Sequence, residues 1–188
     1  MKKVIAILFA ALMAFALCAC GDSNTDTTEA TGAETTAESP ANNETYDTGK
    51  FSAVVPSGMY AYPVTDMQSE DGEIDDTQLI ISSSSSAEEY YSEPYVQIFD
   101  HEEAVLIGTE EVMVLYDDAA EITPFTLEGV EWSGFTGYTS GYPITILYGT
   151  VSDTTFQVTL MGTSESDKLT YDDANVQLIL QSITVTAK

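Results

Sequence analysis

The sequence predicts an α+β domain: an antiparallel sheet of about six to eight strands with two helices packed on it. Three observations carry this prediction. Short runs of alternating apolar residues, each closed by Gly, Pro or Asp signals, recur from Gly49 onwards. Two stretches, Glu110–Ala119 and Ala174–Gln181, place apolar residues at helical spacing behind capping residues. Both cysteines, Cys18 and Cys20, precede this region, so its roughly 140 residues must form a core without a disulfide.

The chain begins with Lys2 and Lys3, an uncharged apolar run from Val4 to Leu17, and then Leu17-Cys18-Ala19-Cys20. A basic n-region, an h-region too short to span a bilayer and small residues at the cut describe a signal peptide over 1–19. Leu-Cys-Ala-Cys resembles the lipobox of bacterial lipoproteins. That resemblance implies cleavage before Cys20, lipid on Cys20, and a membrane-anchored chain on the extracytoplasmic face of a bacterial cell. Two acyl chains give stable anchoring where one does not.

Residues 20–48 are dominated by Thr, Glu, Ala, Ser and Asn, with Tyr46 the one large apolar side chain after the leader. Such a stretch cannot bury enough surface to offset its ordering entropy, which predicts a disordered acidic linker ahead of a domain at 49–188.

From Gly49 the pattern changes. Phe51, Ala53 and Val55 alternate up to Pro56-Ser57-Gly58, and Met59–Val64 alternates again as the expected partner strand. Gln78–Ile81 and Pro94–Phe99 are further strands, separated by Ser82–Ser86, five consecutive serines that predict a flexible loop. Thr109 is placed to cap a helix over Glu110–Ala119, with Val112, Leu115, Tyr116 and Ala119 as its inward stripe. The β-branched Val112 and Val114 leave strand as the alternative there. Ile122–Leu127, Val130–Tyr138, Tyr142–Tyr148 and Thr154–Met161 form a meander with turns at Glu128-Gly129, Gly141 and Ser152-Asp153. Thr170-x-x-Asp173 is a capping box before the second helix, in which Val176, Ile179 and Leu180 share a face and Leu178 does not. Ile183–Thr186 is the last strand.

Two of these landmarks combine. Phe51–Gly58 resembles the strand-Pro-x-Gly opening of the PsbP-like fold, and Asp173–Ile183 resembles its closing helix, Ser-Ile and strand. The resemblance spans Gly49 to Lys188 and implies that fold alone, an antiparallel sheet with helices on its faces. The family places Trp after the opening turn, where this chain has Met59.

Composition narrows function. Without the leader, Lys50, Lys168 and Lys188 stand against 31 acidic residues, and there is no arginine. Phosphate neutralisation needs Lys and Arg, so nucleic acid is excluded as a partner. No cofactor motif is present, and one histidine without cysteines in the domain leaves no Cys/His metal set. His101 lies among acids with no nucleophile elbow nearby, so no catalytic set is predicted and hydrolysis is the weakest reading. The acidic loop Asp66–Asp76 could attract Ca²⁺ at millimolar affinity, although Gly72 at loop position six puts Met67 at position one, where an EF-hand needs an acid. The aromatic residues remain: Tyr60, Tyr62, Trp132, Phe135, Tyr138 and Tyr142 along the strands, and Tyr90, Tyr91 and Tyr95 beside the serine loop. Tyrosines are amphipathic and lose little entropy on ordering, which suits a protein or glycan partner; strands also use aromatics routinely for packing, and core or half-buried packing is the favoured alternative for these residues. The expected function is therefore a lipid-anchored, non-catalytic interaction module with Tyr90, Tyr91 and Tyr95 as its contact surface.

Overall fold

The computed structural model describes residues 42–66, 72–101 and 109–186. The leader, Cys20, most of the linker and the centre of the 66–76 loop lie outside the described residues, as do Glu102 and Glu103 beside His101.

Eleven strands and two α-helices are described. In chain order they are β1 (Glu44–Asp47), β2 (Phe51–Val55), β3 (Tyr60–Thr65), β4 (Ile74–Ser82), β5 (Tyr95–Asp100), α1 (Thr109–Met113), β6 (Asp117–Glu121), β7 (Phe125–Leu127), β8 (Val130–Thr139), β9 (Tyr142–Val151), β10 (Thr154–Met161), α2 (Ala174–Ser182) and β11 (Thr184–Val185). Eight of the strands form one antiparallel sheet, in the order β3-β4-β5-β10-β9-β8-β6 with β7 also paired to β8. This is the α+β class that the sequence predicts.

The remaining strands form a second sheet, β1-β2-β11, and two expectations change with it. Met59–Val64 was expected to pair with Phe51–Val55, but β3 pairs with β4, while β2 lies between β1 and β11. Residues 44–47, assigned to the linker by composition, are β1. Tyr46 sits opposite Ala53 and packs on the core, and this one aromatic ring supplies the apolar contact that the stretch otherwise lacks.

The main core lies between the large sheet and a layer made of β2 and α2. Phe51, Ala53 and Val55 of β2 meet Leu79 and Ile81 of β4, Val96 and Ile98 of β5, and Phe156 of β10. The rings of Phe51 and Phe156 meet edge to face at 5.4 Å. From α2, Val176, Ile179 and Leu180 are buried, and Leu178 stays outside the stripe. Its start differs in detail from a regular capping box. Asp173 is the N-cap residue, but its carboxylate accepts from the Thr170 N–H at 2.7 Å, so the box closes one turn ahead of the helix.

The opposite face of the sheet carries a smaller cluster. Phe135, Ile144 and Ile146 are covered by Val112, Met113, Tyr116 and Ala119. The expected ten-residue helix stops at Met113, and Asp117–Glu121 is instead strand β6, paired with β8. Leu115, assigned to the inward stripe, is 77% exposed because the helix ends before it.

The three hairpin turns of the meander have positive φ at both central residues: Glu128 and Gly129, Ser140 and Gly141, Ser152 and Asp153. Paired positive φ values define type I′ turns, whose twist matches that of the strands they join.

Candidate functional site

Tyr90 and Tyr91 lie in a single 3₁₀ turn, Tyr90–Ser92, between β4 and β5. Tyr90 is the centre of an aromatic cluster. It stacks on Tyr62 of β3 with ring centroids 6.0 Å apart, and meets Tyr95 of β5 and Tyr91 edge to face at 5.4 and 5.9 Å. Tyr62 is buried, whereas Tyr91 is 66% exposed. Burial pushes the Tyr95 phenol above its ordinary value, with the neighbouring Tyr90 adding to the shift. The same cause, then proximity to Tyr60, raises Tyr62.

The serine run is organised around this cluster, contrary to the flexible loop expected of it. Tyr62 Oη donates to the Ser84 carbonyl at 2.5 Å, and buried Ser82 Oγ donates to the Tyr90 carbonyl at 3.2 Å. The Ser84 N–H donates to Ser82 Oγ and the Ser86 N–H to Ser84 Oγ, both at 3.2 Å. Alternate serines thus serve as side-chain acceptors for a tight turn, the local competition with regular structure for which serine is suited.

A groove of about 440 Å³ opens beside the cluster, lined by the consecutive residues Ala61–Thr65 of β3 with Ile80, Ala87 and Tyr90. Because β3 is the edge strand of the large sheet among the described residues, the groove runs along that strand. Among the described residues no carboxylate, imidazole, thiol or amine lines it, and tyrosine supplies its ionisable groups. The sequence shows Tyr62 as a strand aromatic and does not join it to this site. Its meeting with Tyr90 depends on the β3–β4 pairing, which local pattern does not specify.

The other candidates are engaged elsewhere. His101 Nε2 lies 3.3 Å from Gln157 Oε1, and its ring meets Phe99 edge to face at 4.5 Å. Gly137–Gly141 is the end of β8 and a hairpin turn, so Ser140 stands between two strands. The end of the expected 66–76 loop is strand, since β4 begins at Ile74, and there Asp75 accepts from Thr77 Oγ1 at 2.5 Å and Gln78 Nε2 at 2.6 Å. Burial raises the Asp75 carboxyl, but these bonds, with a smaller contribution from Lys50, outweigh it and hold the group below 3.8. Among the described residues no cluster of three or more His, Cys, Asp or Glu could hold a metal. Trp132 and Phe135 are wholly buried core, while Tyr142 is 51% exposed. Two further hollows adjoin Lys168, one of about 160 Å³ by Tyr138 and one of about 440 Å³ at the start of α2. Lys168 is ion-paired with Glu165 at 3.1 Å.

Fold and groove together define an antiparallel α+β domain with a tyrosine-walled channel along its sheet edge. No protein-family model and no curated protein matches the sequence. Among solved structures the chain is similar to the solution structure of cyanobacterial PsbP (CyanoP) from Synechocystis sp. PCC 6803. The two share 12% sequence identity with a TM-score of 0.45, over 85% of this chain and 98% of that one.

Proposed function

We propose that the chain is a lipid-anchored cell-envelope protein whose α+β domain is a non-catalytic binding module. Lipid on Cys20 holds it at the extracytoplasmic face of the bacterial membrane, and Tyr90, Tyr91 and Tyr95 form its contact surface for a protein or glycan partner. The binding half rests on the groove of about 440 Å³ under Tyr90. A concave site walled by tyrosine and aliphatic side chains supplies stacking area and hydroxyls for orientation. Its described lining supplies no general acid or base that titrates near neutrality. The anchoring half rests on Leu17-Cys18-Ala19-Cys20 behind its apolar leader.

Mass spectrometry of the mature protein is expected to find a lipid-modified Cys20 at its amino end, and Cys20→Ser is expected to release the chain from membranes. An unmodified amino terminus at another residue would overturn the anchoring. For binding, wild type and Tyr91→Ala are compared on arrays of neutral oligosaccharides and of peptides. Tyr91 is exposed, so its loss leaves the core intact. Ligands retained equally by both proteins, or turnover of any compound abolished by one point change, would overturn the reading of the groove.

A further inference from the structure

The groove's surroundings specify the charge of what it takes, given the reading above that it is a binding site. The turn that brings Tyr90 to the groove also carries Tyr91, edge to face against Tyr90 and outside the lining, and Glu88, Glu89 and Glu93, all exposed. Neither described lysine, Lys50 or Lys168, is among the residues that line the channel, and Lys50 acts on Asp75, the β4 partner of Val64 at its far end. Aromatic faces carry negative quadrupoles, and carboxylates a few residues away add to the same field. An anionic polymer is repelled there, and a cation gains from both sources.

The shape of the site gives the form of the ligand. Five consecutive edge-strand residues, Ala61–Thr65, line the groove, a run of about 16 Å at roughly 3.3 Å per residue. That length accepts an extended chain. Pro63 has no N–H to offer, and the pairing register shifts between Pro63 and Val64, so a continuous ladder with an added strand is blocked. Side chains must then supply most of the contact.

We propose that the groove along β3 receives an extended lysine- or arginine-bearing segment of a partner protein, its cationic head groups held over Tyr90 and Tyr91 and among Glu88, Glu89 and Glu93.

Anisotropy titration of the purified full chain with fluorescein-labelled pentalysine tests this. A neutral Gly/Ser pentapeptide serves as control and a chito-oligosaccharide as the glycan probe. Because the chain is acidic throughout, the decisive comparison is between two charge-matched variants. Glu88→Gln/Glu89→Gln/Glu93→Gln is expected to weaken pentalysine binding at least fivefold more than Glu110→Gln/Glu111→Gln/Glu121→Gln, which removes the same charge from α1 and from the opposite sheet edge. Tyr90→Ala and Tyr91→Ala are each expected to weaken it about three- to thirtyfold, while Tyr90→Phe, which keeps the ring, retains it. Tyr91→Ala gives the aromatic readout if Tyr90→Ala fails to fold. Equal losses in the two triple variants, or unaltered binding in Tyr91→Ala, overturn the proposal. If the oligosaccharide binds in a Tyr91-dependent manner while pentalysine ignores the groove, the cationic ligand is overturned and the binding module stands. If no probe depends on Tyr91, both are overturned.

Discussion

Gly149 lies against the indole of Trp132, its cross-strand partner between β8 and β9. A Cβ at Gly149 would stand 2.7 Å from Cε3 of that ring, and Trp132 is wholly buried. The glycine is required by the space the ring occupies, since its φ is not positive. Gly149→Ala is therefore expected to overpack the core and cost about 1–3 kcal/mol. In a Trp132→Leu background the same change should cost little. Chemical denaturation of the four proteins checks this, and additive losses would show that the contact is not the cause.

Tyr62 holds the serine turn through a single bond, from its hydroxyl to the Ser84 carbonyl at 2.5 Å. Tyr62→Phe keeps the ring on Tyr90 and removes the bond. The expected loss is about 0.5–1.5 kcal/mol of global stability. Faster amide hydrogen exchange should appear at Ser84 and Ser86, whose N–H groups donate within the same turn. Unchanged exchange at these two amides would mean that the serines order the turn by themselves.

These contacts mark where the sequence was legible. Phe51, Ala53 and Val55 display their inward face locally because strand periodicity is local, and the α2 stripe is visible down to Leu178 standing off it. Turn chemistry exposed the three hairpins in the same way. The partners of β2 were not legible, since alternation tells which face is buried and not which strand lies alongside. Asp117–Glu121 reads Asp-Asp-Ala-Ala-Glu, with no apolar alternation at all, and it is a strand because β8 offers it an edge. Of the aromatic cluster beside the groove, Tyr90, Tyr91 and Tyr95 could be named as aromatics flanking one loop, but not sorted into exposed and half-buried. Tyr62 and Pro63 could not be joined to them, because that neighbourhood exists only after β3 pairs with β4.

Asp75 gives the fold a dependence on acid. Its folded carboxyl is held below 3.8 by the bonds from Thr77 and Gln78. A carboxyl depressed on folding stabilises the protein above its unfolded value, and that contribution is lost as pH falls through the lower folded one. Asp75→Asn should therefore lower the melting temperature at pH 7. The difference from wild type should shrink as pH falls below the unfolded Asp value of about 4 and on through the lower folded one. A difference that is constant over this range would refute the assignment.

Tyr138 and Glu165 form a second titrating pair, hydrogen-bonded from Oη to the carboxylate. The bond to Tyr138, then the one from Lys168, lowers Glu165 from 4.5, and the bond to Glu165 raises Tyr138 from 10.0. Both shifts describe one contact and are counted once. The contact stabilises between the two unfolded values, is lost as pH falls through the depressed Glu165 value, and is lost again as pH rises through the elevated Tyr138 value. Tyr138→Phe should return the Glu165 carboxyl towards 4.5, apart from the pull of Lys168, as read by NMR titration of its side-chain carbon. A titration identical to wild type would show that the bond does not persist in solution.

Ser182 joins the end of α2 to the second sheet. Its hydroxyl donates to the Ile179 carbonyl at 2.8 Å and accepts from the Val54 N–H at 2.8 Å, so one oxygen closes the helix and completes β2. Removing it leaves a backbone donor of β2 without its acceptor, at a cost of about 1–3 kcal/mol. Ser182→Ala should cost this amount, with Ser182→Thr retaining most of the stability because the hydroxyl is kept. The loss should be local first. Exchange at Val54 is expected to rise more than at Leu147, a core residue of β9 whose strand pairs with β8 and β10. Equal acceleration at both amides would mean that the layer of β2 and α2 opens only with the whole domain, and that this hydroxyl does not set the order in which it comes apart.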